Sequence, residues 1–206
     1  MLKAKHHPLL YPLFKWLSLF LIKRNFNSVH IIGNFSDNGN SVLVIANHIS
    51  WWDGFWIQYL NLKILSRKLH FMMLEEQLKK HWYFNYTGGF SIKKKSRSIV
   101  ESINYSIQLL KQPENMLLMF PQGQIHSLYA NKITFEKGIE RIVNNLTHDT
   151  QILFVANLID YLSDKNPNLF IYFKTFLAKD FYQSTITSEY NKFYEQVLNN
   201  QKTKIS

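Results

Sequence analysis

Two side chains able to move a proton, His48 and Asp53, stand five positions apart just after the apolar run Val42, Leu43, Val44, Ile45 and Ala46. The run is rich in β-branched residues and stops at polar Asn47, so it reads as a buried strand that delivers a histidine to its carboxyl edge. In open α/β sheets that edge is where ligands bind. Five positions along one regular helix turn a side chain through about 500°, which leaves the two residues roughly 140° apart. A histidine at a strand end and an aspartate in the first turn of the following helix can meet, and aspartate is favoured at a helix N-terminus. The carboxylate then fixes the imidazole tautomer and leaves the other ring nitrogen free to take a proton from a hydroxyl. The same two residues also fit a purely structural use, a histidine closing a strand and an aspartate capping a helix.

The chain has 206 residues and 46% hydrophobic content, which predicts one folded domain with a sizeable core and excludes wholesale disorder. It contains no cysteine, which excludes disulfides, a thiol nucleophile and cysteine-ligated metals. The histidines form no H-x-x-x-H pair, so no metal site is expected, and neither Gly88-Gly89 nor Gly123 leads into a phosphate-loop lysine. A formal charge of +10 points to an anionic partner, such as a phospholipid surface, nucleic acid or a phosphorylated cofactor. Trp51, Trp52, Phe55 and Trp56 surround the His48 and Asp53 pair. Aromatic rings beside basic residues suit the lipid head-group region, base stacking, or ordinary core packing.

Several elements must position these residues. Residues 9–22 are apolar but interrupted by Pro12, Lys15 and Ser18, with no cleavage site after them, so they do not read as a secretory leader. At 14 positions they also fall short of the roughly 20 needed to span a bilayer. They read as an N-terminal amphipathic helix lying in a membrane interface, as a helix covering the sheet, or as both on different faces. Domain bounds of 1–27 for this segment and 28–206 for the remainder follow. Strands are expected at 28–33, 42–46, 70–74, 90–92, 116–120, 152–156 and 169–173, with the turn 36–40 joining the first two as a hairpin or sheet edge. Helices are expected from near Asp53, over 75–83, along the stripe Ile99, Ile103, Ile107 and Leu110, and over 188–200. Gly33 and Gly138 read as turn or helix-start residues. The fold class is α/β, a mixed central β-sheet flanked by helices.

Three strand-end signals stand in order: Asn47 and His48 with Asp53; Gly88, Gly89, Phe90, Ser91 and Ile92 with the basic tail Lys93 to Arg97; and Phe120, Pro121, Gln122 and Gly123. Together they resemble the phospholipid/glycerol acyltransferase family, whose members carry N-H-x-x-x-x-D, a glycine-led F-I-x-R block and F-P-E-G-T-R in this order. The resemblance covers roughly residues 40–160. It implies His48 as general base and Asp53 as its orienting carboxylate. It implies a substrate site built from Asn47, Gly89, Lys94, Arg97, Phe120, Pro121, Gln122 and Gly123. The implied reaction moves a fatty acyl group from acyl-coenzyme A or acyl-carrier protein to a lipid hydroxyl, with no further cofactor, on the cytoplasmic face of a membrane as a peripheral or monotopic protein. Ser50 is expected to shape the loop rather than act as a nucleophile.

The chain departs from the family pattern in two blocks. Gln122 stands at the usual glutamate and Ile125 at the usual arginine, while Lys94 replaces the arginine of the second block. A lysine offers a point charge where arginine offers a planar fork, which weakens a phosphate-bearing acceptor as the expected substrate. Arg97 is a candidate replacement guanidinium, and Gln122 or His126 a hydrogen-bonding partner for a neutral or zwitterionic acceptor. A non-catalytic membrane- or nucleic-acid-binding protein and a thioesterase are the competing readings.

Overall fold

The computed structural model describes residues 1–93, 98–181 and 185–205. Lys94 and Arg97, both expected at the substrate site, lie outside the described residues. The described chain runs α1 (Leu10–Asn25), β1 (Val29–Ile32), β2 (Val42–Ala46), α2 (Asp53–Leu60), β3 (Lys68–Leu74), α3 (Glu75–Lys80), β4 (Gly89–Ile92), α4 (Ser98–Leu109), β5 (Asn115–Met119), α5 (Ile139–Val143), β6 (Gln151–Asp160), β7 (Asn168–Leu177) and α6 (Ile186–Lys202). A π-helical turn (Asn61–Leu65) prolongs α2, and a 3-10 turn (Trp82–Tyr86) precedes β4.

The strands form one seven-stranded sheet in the order β1-β7-β6-β2-β5-β3-β4. Every neighbouring pair is parallel except β6 and β7, which run antiparallel along their full length. The mixed sheet and flanking helices match the expected class. β2 is central because all five of its residues are fully buried, a state that needs cover on both faces. Its side chains alternate between two apolar layers. Leu43 and Ile45 join Leu117, Ile152, Phe154 and Ile142 on the side of α4, α5 and α6, whereas Val42 and Val44 join Trp56, Ile57 and Leu118 on the side of α1 and α2. Each such side chain contributes about 1.5–3 kcal/mol by leaving water.

The expected hairpin between the first two strands does not form. β1 is only partly buried, lies at the sheet edge and pairs in parallel with β7, so the edge alternative holds. β6 and β7 are also longer than the runs 152–156 and 169–173 indicated, because their mutual ladder extends to Asp160 opposite Asn168.

At the other edge, residues 2–7 cover β4 and the turn before it. The Lys5 and His7 amides donate to the carbonyls of Asn85 and Tyr86, and Gly88 donates to Lys5, each at 2.9 Å. Leu2 and Ser91 exchange a further pair of bonds at 2.7 and 2.9 Å. The edge is thus closed to other strands. Gly88 and Gly89 permit close packing here: a Cβ on Gly88, whose φ is +107°, would lie 2.1 Å from the Leu69 carbonyl oxygen and 2.9 Å from His6 Nε2, and one on Gly89 2.7 Å from the Phe84 carbonyl oxygen.

Helix α1 buries Phe14, Ser18 and Ile22, an i, i+4, i+8 stripe against α2, with Phe14 and Phe55 ring centroids 5.5 Å apart. Its opposite face is also apolar, with Leu13, Trp16 and Phe20 exposed and Trp16 stacked on Phe20 at 5.3 Å. Among the described residues no helix is long and apolar enough to cross a membrane.

Candidate active site

β2 ends at Ala46, and the six residues to Asp53 turn the chain into α2 at the carboxyl edge of the sheet. Asp53, fully buried, opens the helix. Its Oδ2 lies 2.6 Å from His48 Nδ1 and accepts the amide hydrogens of Ile49 at 2.7 Å and Ser50 at 2.9 Å. Because two backbone donors already converge on this oxygen, it acts as an acceptor and His48 Nδ1 carries the shared proton. In the neutral ring Nε2 then holds a free lone pair. Burial pushes the Asp53 carboxyl above its ordinary range, while the bonds from His48 and the two amides pull it down. Ser50 Oγ accepts the Trp52 amide at 3.2 Å and so shapes the turn.

The His48 ring is 24% exposed and stacks on Phe120 with centroids 4.4 Å apart and planes 14° from parallel. Phe120 belongs to the turn after β5, which Gly123 closes by donating to the Phe120 carbonyl at 3.1 Å. The Pro121 carbonyl accepts the Glu136 amide at 2.7 Å. The first and third sequence blocks therefore meet at one edge.

Asn47 and Gln122 face inward. Asn47 is fully buried and exchanges two hydrogen bonds with the backbone of Asn157, at 2.9 and 2.8 Å, tying the end of β2 to β6. Gln122, 3% exposed, makes the corresponding pair with the backbone of His48. Gly89 is buried at the start of β4 and packs against Phe84 and Phe71.

Two cavities reach His48. The larger, about 800 Å³, runs between the ends of β3 and β5 and helices α4 and α5, with Met72, Ile103, Met119, Phe120 and Ile142 in its wall. The smaller, about 260 Å³, lies between α1, α2 and β3 and is lined by Phe14, Trp51, Phe55, Phe71 and Phe84. Met73, Gln77 and Ile125 border both. Among the described residues no lysine or arginine lines the smaller cavity, whereas Lys137 and Glu136 border the larger. Gln77, Met73 and the 136–142 segment were not expected at the site. Their positions depend on β3 lying next to β5 in the sheet and on where the chain before and along α5 packs, and no local pattern announces that.

A histidine paired with a buried carboxylate at the edge of a largely apolar cavity suits transfer of a long acyl chain to a hydroxyl. The sequence agrees. Residues 27–159 match the family model described as Acyltransferase. The chain belongs to the acyltransferase family. It is also similar to a 1-acyl-sn-glycerol-3-phosphate acyltransferase of Streptococcus pneumoniae (strain ATCC BAA-255 / R6), with 27% identity over 101 residues. That match covers 48% of this acyltransferase-family chain and 37% of the relative.

Proposed function

We propose that this protein is a peripheral membrane O-acyltransferase that moves a fatty acyl group from a coenzyme A or carrier-protein thioester to a hydroxyl of a lysophospholipid or similar lipid. The observation that carries the reading is the 2.6 Å contact between His48 Nδ1 and Asp53 beside the 800 Å³ apolar cavity. His48 Nε2 removes the acceptor hydroxyl proton as its oxygen attacks the thioester carbon. The carbon–sulfur bond then breaks, and the imidazolium returns the proton to the departing thiolate. Asp53 stabilises the transient positive charge on the ring, as a buried carboxylate does beside a catalytic histidine. The larger cavity takes the donor's hydrocarbon chain, whose burial there is favourable because most of its wall is apolar.

Membrane association is supported by the outer face of α1. Exposed Leu13, Trp16 and Phe20 are flanked by Lys23 and Arg24 in the last turn. Trp51 and Trp82 are exposed near the buried side of the same helix. Apolar rings with cationic neighbours match an anionic head-group layer.

The test incubates purified protein, and separately His48→Ala, with labelled acyl-coenzyme A and a mixed lipid extract, following free thiol and acylated lipid by mass spectrometry. A lipid product that disappears in His48→Ala is expected. Thiol release without lipid product would instead identify a thioesterase, and full activity in a folded His48→Ala protein would remove His48 as the base.

A further inference from the structure

Gln122 stands where the family pattern has glutamate, yet its side chain is 3% exposed and both of its terminal atoms meet the peptide of His48. We propose that Gln122 is a positioning residue for the base, acting through the His48 backbone rather than by binding the acceptor. This inference rests on the reading of His48 given above.

The His48 amide reaches Gln122 Oε1 at 2.6 Å, and Gln122 Nε2 reaches the His48 carbonyl at 3.3 Å. Only the carboxamide oxygen can accept the first bond, so the orientation of the group is set by chemistry. The parallel ladder between β2 and β5 has its last paired positions at Ile45 and Met119, short of His48. Beyond that point the carboxamide supplies the donor and acceptor that a neighbouring strand would have supplied. The His48 carbonyl also accepts the His126 amide at 2.9 Å, and Phe120 covers the ring at 4.4 Å. One short segment, 120–126, therefore holds both the backbone and the ring of the base, while Asp53 holds Nδ1.

A glutamate here could accept the amide hydrogen but could not donate to the carbonyl. Its charge would sit in a buried place where Ile125, at the usual arginine position, brings no cation. Without any side-chain acceptor, the His48 amide loses its partner and the loop is held from one side. A misplacement of about 1 Å at a reacting atom lowers the rate by about 100-fold.

The experiment compares wild type, Gln122→Met and Gln122→Glu with palmitoyl-coenzyme A and a lysophospholipid mixture made by phospholipase treatment of a lipid extract. Hydrogen exchange of the 47–52 segment and thermal melting are followed in parallel. Gln122→Met is expected to lower kcat by about 10- to 100-fold with the acceptor KM within about twofold of wild type, and to speed exchange at His48. Gln122→Glu, which keeps the acceptor for the amide at the same volume, is expected to fall between the two, and it tests the proposal if Gln122→Met does not fold. A raised acceptor KM with kcat retained, or wild-type kinetics and exchange in both variants, would overturn the proposal. Its failure is distinct from failure of the base itself, which would show as full activity in His48→Ala.

Discussion

Replacing Asp53 by asparagine separates the two effects of the carboxylate. The fold carries the desolvation of a fully buried charge, visible in the upward shift of the Asp53 pKa, so Asp53→Asn is expected to melt no lower than wild type. In the proposed mechanism the carboxylate fixes the tautomer and balances the imidazolium, so kcat is expected to fall by roughly 10²- to 10⁴-fold. Calorimetry beside the acyl-transfer assay checks both, and parallel losses of stability and activity would refute the separation. At this scale the sequence was informative about His48 and Asp53, because a strand end and a helix start bracket them and leave one way to meet. For Asn47 and Gln122 it offered a place at the substrate site but could not name their hydrogen-bonding partners. A carboxamide can serve a ligand or a neighbouring peptide equally well, and only the packed strands decide that Asn47 meets Asn157 and Gln122 meets His48.

Among the elements, the N-terminal segment and β3 share a pair of histidines that should make stability depend on pH. His6 Nε2 contacts the Leu69 carbonyl at 2.8 Å, and its ring meets His70 edge-on at 4.7 Å. Burial, with the neighbouring His6 and Lys68 charges, brings the His70 pKa down to about 4, while contact with Asn115 opposes the shift. Burial lowers His6 as well, with Lys68 and Lys15 adding to it. The unfolded chain therefore binds more protons than the folded one below about pH 6.5, so this stability is intact at neutral pH and lost as pH falls through about 4. The loss from His70 is on the order of 3 kcal/mol, and His70→Gln is expected to flatten that limb in denaturant titrations at stepped pH. Helix α1 carries a second prediction. Trp16→Glu with Phe20→Glu changes exposed positions, so unfolding should move by no more than about 0.5 kcal/mol per site. Sedimentation with anionic vesicles should nevertheless drop several-fold, and unchanged binding would send the search for a lipid surface elsewhere. Periodicity revealed α1 and α4. It could not reveal the five residues of α5, too few to repeat, nor that half-exposed β1 would seek β7 rather than its neighbour in sequence.

Over the whole molecule, the sheet order explains why distant motifs work together. β2 lies between β5 and β6, so the blocks around His48, Phe120 and Asn157 emerge side by side although the hydrogen bonds joining them span 74 and 110 residues. The class of fold was readable from alternating strand and helix patterns; the order of the strands was not, since apolar runs of similar composition do not name their neighbours. The pairing of β1 with β7 also sets a timetable for synthesis. Ser28 bonds Asn168, which leaves the ribosome 140 residues later, so the first strand stays without its ladder until β7 has been made. Such long-range closure is slow, and meanwhile the apolar flank of α1 is already exposed to whatever the nascent chain meets first.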